Sequence, residues 1–313
     1  MADLSDILFM GHFSKCPVEG VMFYNGEIHQ EYDLWPMLNK ARVIIEIEHV
    51  TPSRRCYYRK YIRFFQGHKF LVLYDYVTRK NYLKNYSVGY DRIFSVHAQA
   101  EKEIRDRWGN PAKFWPHGYD SEKSYPIEGC RVRYDIGFCG FLGERPGWGS
   151  NPIYSKRREV LKALKDHFGD RMCIRQNLYG EEYNRFWNEC KIGINCSPLG
   201  EATLRVYEVL ATGTALVTDK SKDIELIFNN GEHLLMYDSP AEAISCCERL
   251  LADAKFRKCI AENGRKVVSK YERAQQYSSL SREAIKYLED HPLDHIPTII
   301  PFPKPLHKEP TFA

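Results

Sequence analysis

The chemistry in this 313-residue chain is densest in one segment, Gly200-Glu-Ala-Thr-Leu-Arg-Val-Tyr-Glu-Val-Leu-Ala-Thr-Gly-Thr-Ala-Leu-Val-Thr-Asp219. It reads as a glycine-containing loop, a short helix from about Thr203 to Thr212, and a strand. The first N–H groups of a helix have no partner inside it and can hold a phosphate. Glu208, about one turn in, can accept bonds from a vicinal diol such as ribose, and Glu201 in the loop can reach sugar hydroxyls. Taken alone, the segment reads first as an ordinary capped α/β crossover, so these roles need support from elsewhere in the chain.

A second set of candidates lies in the N-terminal half. Glu46, Glu48, Asp75, His97 and His117 stand near the ends of apolar, strand-length runs, where a carboxylate or imidazole can take a proton from a hydroxyl. A lone residue in such a place more often simply bonds its own loop. From Thr51 to Arg92 there are ten Lys or Arg against only Asp75 and Asp91, interleaved with many aromatics. Arg54, Arg55, Arg59 and Lys60 are the densest part. Cations attract phosphates and aromatic rings stack on bases, so the mixture suits a polyanion such as DNA. A solvated helical face above core aromatics accounts for it equally well.

The elements that must position these residues alternate between short apolar runs and helical stretches, the rhythm of an α/β fold with parallel sheets. Strands are predicted near residues 6–10, 20–24, 43–47, 70–74, 92–96 and 113–115, then near 134–143, 172–175, 192–196 and 214–218. A helix from Ala98 to Trp108 is stopped by Gly109-Asn-Pro, and Ser239-Pro-Ala-Glu is a helix start with cap, proline and acid in order. The segment 121–126 reads as a linker. Hydrophobic residues at 43% and charged residues at 27% are those of a globular protein. No apolar run reaches the roughly 20 residues of a membrane helix. Ten cysteines without regular spacing, and an N-terminus without a signal-peptide pattern, point to reduced thiols in a cytoplasmic compartment. With no CxxC pair and no Asp-x-Asp, no metal is expected.

Arg205-Val-Tyr-Glu-Val-Leu-Ala-Thr-Gly-Thr-Ala-Leu-Val-Thr-Asp219, followed by Ile224-Glu-Leu-Ile-Phe-Asn-Asn-Gly-Glu-His-Leu-Leu-Met-Tyr237 and Ser239-Pro-Ala-Glu-Ala243, resembles the donor half of the glycosyl transferases group 1 families. It is most similar to the spore-maturation-type branch, over roughly residues 134–275. The resemblance implies a GT-B fold, two Rossmann-like domains facing each other across a cleft. Domains are expected at 1–126 for the acceptor and 127–290 for a nucleotide-sugar donor, with a proline-rich tail at 291–313. It implies that Glu208 binds the donor ribose and that the amides of Thr203 and Leu204 face the diphosphate. Arg205 helps hold that diphosphate, together with Arg145, Lys156 or Arg157 of the opposite loop. The strand end at Gly143 opens the site, and the donor base packs against Arg175–Gly180, which includes Tyr179. Relatives often carry a glutamate eight positions before the ribose-binding one; Gly200 stands there instead, with Glu201 beside it.

The chemistry so implied needs no cofactor beyond the co-substrate, taken as a UDP-sugar. Amides and cations stabilise the leaving diphosphate in the role a metal plays elsewhere. Glu201, Asp75 and Glu48 are the catalytic candidates; an inverting enzyme needs a base, whereas a retaining one of the resembled type does not. The basic aromatic stretch points to DNA as acceptor, such as the hydroxymethylated bases that compact viral glycosyltransferases decorate. Transfer to a polysaccharide, glycolipid or protein is the alternative, and a non-catalytic nucleic-acid-binding protein on the same scaffold is a second.

Overall fold

The computed structural model describes residues 2–11, 15–25, 28–47, 62, 65–74, 76–145 and 149–294. Two parallel sheets organise them. The first has the order β2-β1-β3-β4-β5-β6. Its strands are β1 Ile7–Met10, β2 Met22–Tyr24, β3 Val43–Ile47, β4 His68–Leu73, β5 Arg92–Ser95 and β6 Ala112–Phe114. The second has the order β10-β7-β11-β12-β13, with β7 Tyr134–Cys139, β10 Met172–Arg175, β11 Cys190–Asn195, β12 Ala215–Asp219 and β13 Leu235–Tyr237. A two-residue antiparallel pair, β8 Glu144–Arg145 and β9 Gly149–Ser150, decorates the loop after β7.

Strands buried on both faces read as continuous apolar runs, because successive side chains point to opposite sides of the sheet. In β1, Leu8 and Met10 enter one core with Leu34, Leu38 and Leu71, while Ile7 and Phe9 enter another with Ile45, Val72 and Phe94. The second sheet divides likewise: Ala215 and Val217 go to one side, Leu216 to the other. Each sheet is thus covered by helices on both faces, as a doubly wound α/β domain requires.

The C-terminal helix Arg273–Asp290 follows the second domain in sequence but not in packing. Its Tyr277, Leu280, Ala284 and Leu288 are buried on the first sheet among Ile7, Phe9, Val43 and Phe70. The chain therefore crosses between domains twice, and the crossings run side by side. The Tyr119 N–H donates to the Tyr271 carbonyl at 3.1 Å, and the Arg273 N–H to the Tyr119 carbonyl at 2.8 Å. Farther along the interface, the Ala98 N–H donates to Asp223 Oδ1 at 2.9 Å, and His97 Nδ1 lies 3.7 Å from Asp223 Oδ2. His97 follows β5 and Asp223 follows β12, so the C-terminal edges of the two sheets face each other.

The expected caps are present: Ser239 accepts from the Glu242 N–H ahead of Pro240–Ala252, and Gly109 closes Ala98–Trp108 in the left-handed conformation. All nine described cysteines are free thiols. Within Ala254–Val268, Gly264 has no room for a side chain; a Cβ would lie 2.4 Å from the His233 carbonyl oxygen. Because backbone cannot step aside as a side chain can, Gly264→Ala is expected to cost about 1–2 kcal/mol. Chemical denaturation measures it, and an unchanged midpoint would contradict the packing.

Candidate active site

In a doubly wound sheet, ligands bind beyond the carboxyl ends of the strands, where the strand order reverses. From β7 the chain passes to β10 on one side and later to β11 on the other. The reversal therefore lies between the ends of β7 and β11, at Cys139 and Asn195.

Arg205 spans this point. Its Nε donates to the Cys139 carbonyl at 2.8 Å and its Nη1 to Asn195 Oδ1 at 3.0 Å. The guanidinium lies 4.7 Å from the Phe138 ring centroid, and Gly140 makes room for it, since a Cβ there would meet Arg205 Nη2 at 2.1 Å. Two of its five N–H groups are used, and among the described residues no carboxylate forms an ion pair with it. Arg157 is a second buried cation over the same ring, 5.7 Å from its centroid. Its Nε donates to the Cys196 carbonyl and its Nη1 to the Phe141 carbonyl, at 2.8 and 2.6 Å. Burial, and then repulsion by Arg205, push its pKa down to about 10. Two neighbouring guanidiniums whose bonds go to neutral groups keep N–H donors and charge available to an anion.

The helix predicted after Gly200 spans Leu204–Ala211. Its N-cap residue Thr203 does not cap: the hydroxyl donates to Asn195 Oδ1 at 2.9 Å. The amides of Leu204 and Arg205 are consequently left without a side-chain partner, and Leu204 is exposed. Glu208 is half-buried and accepts from the Tyr183 hydroxyl at 2.8 Å through one oxygen, leaving the other for a ligand. Glu201 folds back on its own loop, accepting from the Leu199 N–H at 2.9 Å. The preceding Gly200 has φ +76°, a left-handed conformation in which a glutamate would be strained.

The remaining donor-side candidates line the loops around this floor. Gly143 accepts from the Asn151 N–H in the turn beside the Tyr154 ring. Arg145 ends β8. Tyr179 is exposed at the start of helix Gly180–Asn188. On the acceptor side, Glu48, Arg54, Arg55, Arg59, Lys60 and Asp75 lie outside the described residues. Several aromatics of the basic stretch, Phe65, Phe70, Tyr76 and Tyr90, are buried core residues. Glu46 is fully buried and accepts from the Tyr86 and Tyr90 hydroxyls. His117 is kept neutral, with its pKa lowered to about 3 by burial and then by His97. A cavity of about 540 Å³, lined by Lys15, Asn25, Tyr119, Asp120, Arg273 and Tyr277 among others, opens beyond β1 and β2.

Asn195 and Asp219 carry no local motif, and sequence reasoning passed over them. Asp219 ends β12, is buried, and accepts from the Ser197 N–H at 2.9 Å. Burial raises its pKa to about 6; the Ser197 bond and Lys156 oppose the rise and Glu201 adds to it. A carboxyl whose pKa is higher folded than unfolded binds its proton more tightly in the native state, so its contribution to stability is lost as pH rises from about 4 to 6. Asp219→Asn keeps the acceptor for Ser197 and cannot ionise. Its stability relative to wild type should therefore grow across that window, by on the order of 2 kcal/mol. Denaturation at pH 4.5 and pH 7 (about the two ends of the transition) tests this; a pH-independent difference would contradict it.

Residues 143–280 match the model of the glycosyl transferase-like family. No curated protein matches the sequence. Among solved structures, the fold is similar to Anabaena HepE in complex with UDP and glucose, at 11% identity and a TM-score of 0.60, covering 89% of this chain and 99% of that one. Sucrose-phosphate synthase from Thermosynechococcus elongatus is similar at 14% identity and TM-score 0.56, over 85% of this chain and 82% of that one. A glycosyltransferase from Rickettsia africae matches at 11% identity and TM-score 0.57, over 87% and 86%. The two facing parallel-sheet domains are those of the GT-B fold, and with the family sequence in its C-terminal domain the chain is a glycosyltransferase.

Proposed function

We propose that this glycosyltransferase takes a UDP-sugar and transfers the sugar to a hydroxyl, without a metal. The observation that carries the reading is Arg205, a cation without a carboxylate partner among the described residues, held at the strand-order reversal in the first turn of an uncapped helix. A diphosphate is the ligand that uses both the guanidinium and the free amides. Glu208 takes the ribose hydroxyls, and the loop Arg175–Gly180 with Tyr179 takes the base. Uridine is favoured because the HepE structure of the same fold holds UDP. Arg205, Arg157 and Arg145 supply the positive charge that a metal provides elsewhere, in keeping with the absence of Asp-x-Asp from the sequence. The spore-maturation-type affinity rests on the run Arg205–Asp219.

The acceptor reading is separate. Arg54, Arg55, Arg59 and Lys60 support a DNA acceptor with an exposed hydroxymethyl group. The mixed-charge cavity beyond β1 and β2, with Tyr119 and Tyr277 in its wall, favours a carbohydrate. Asp75 or Glu48 would accept the hydroxyl proton if the configuration is inverted. A thermal-shift panel of UDP, GDP and ADP tests the donor, since a ligand that binds only the folded state raises the melting temperature. UDP alone should produce the shift; none with any nucleotide would sink the donor reading. Transfer from the matching donor to hydroxymethylated duplex or to oligosaccharide then decides the acceptor.

A further inference from the structure

We propose that Asn195 is a positioning residue that aims Arg205 at the donor diphosphate without neutralising it, an inference resting on the donor reading above. Asn195 ends β11 and is fully buried. Its side-chain amide and its carbonyl are both bonded. Its Oδ1 accepts from Arg205 Nη1 at 3.0 Å and from the Thr203 hydroxyl at 2.9 Å. Its Nδ2 donates to Thr218 Oγ1 at 3.0 Å, with Asp219 Oδ1 at 3.4 Å, and its carbonyl accepts from the Tyr237 hydroxyl at 2.9 Å. The amide cannot be turned over, because its NH2 would then face the guanidinium, donor against donor.

Two consequences follow from having an amide here. A neutral acceptor fixes the guanidinium but leaves its charge for the ligand, whereas a carboxylate in the same place would form an ion pair with it. By drawing the Thr203 hydroxyl toward itself, Asn195 also turns that side chain away from the helix start, so the Leu204 and Arg205 amides stay open. One buried side chain thus sets both halves of the anion site. Asp219 stands behind it and holds the Ser197 N–H of the adjoining loop.

The test is a double-mutant cycle on UDP affinity, by titration calorimetry of the full chain. The four proteins are wild type, Asn195→Ala, Arg205→Ala and the double variant. Asn195→Ala should weaken UDP about tenfold, but in the Arg205→Ala background the same substitution should cost only about two- to threefold, because Asn195 acts mainly through Arg205 and only in part through the Thr203 hydroxyl. Asn195→Asp, which keeps the volume and both acceptor bonds, should weaken UDP at least as much, and it serves where the alanine variant does not fold. Losses that multiply in the double variant, or Asn195→Asp binding within about twofold of wild type, overturn the positioning role. No binding of UDP by the wild type overturns the donor reading, and this proposal with it.

Discussion

Arg205→Ala is expected to lower turnover about 100- to 1,000-fold, the loss seen when one preorganised donor to a developing negative charge is removed. As the glycosidic bond breaks, the leaving nucleoside diphosphate gains charge, and the free guanidinium N–H groups meet that charge without reorganising. The Cys139 carbonyl, Asn195 and the Phe138 ring hold the group still beforehand. Lysine should restore little, because a single ammonium cannot bond Cys139 and Asn195 and still present a fork to the phosphates. Steady-state kinetics with the donor that passes the thermal-shift panel provide the measurement. A raised KM with unchanged kcat would mean that Arg205 binds substrate and transition state alike, and the stabilising charge would have to be sought at Arg157 or Arg145.

Glu208→Ala should weaken nucleotide binding by about 2–3 kcal/mol, a factor of roughly 30 to 150, because it removes a charged acceptor from the ribose diol. The same substitution strips the Tyr183 hydroxyl of its acceptor, so a loss of stability accompanies the loss of affinity. Glu208→Gln separates the two: the amide oxygen still accepts from Tyr183 while the charge is gone. Removing one ribose hydroxyl from the ligand isolates the contact further. 2′-Deoxy-UDP or 3′-deoxy-UDP should bind wild type less well than UDP but bind Glu208→Ala about equally. If both deoxy ligands bind wild type as tightly as UDP, Glu208 holds Tyr183 and not the ribose.

How much of this was legible beforehand depends on the range of the interaction involved. Strand runs such as Val43–Ile47 and Met172–Arg175 appear where apolar continuity puts them. The helix start at Ser239 and the stop at Gly109 are local matters of capping. The helix Glu31–Lys40 was not legible: Pro36 lies inside it, and it is held by burying Leu34 and Leu38 in the first core. The basic aromatic stretch shows the same limit. Composition cannot tell a stacking surface from a core, and Phe65, Phe70, Tyr76 and Tyr90 turned inward.

By itself the sequence determined the alternating α/β rhythm, the loop–helix–strand unit around Arg205 and Glu208, and their likeness to a donor site, because those signals act within about 20 residues. The tertiary structure alone decided what surrounds Arg205. Cys139, Asn195 and Asp219 end three separate strands, and only parallel pairing in the order β7-β11-β12 brings those ends together. It also decided that the last helix leaves its sequence neighbours for the first sheet. Apolar area is buried wherever the folded chain offers a complementary face, and that choice is written in no local pattern.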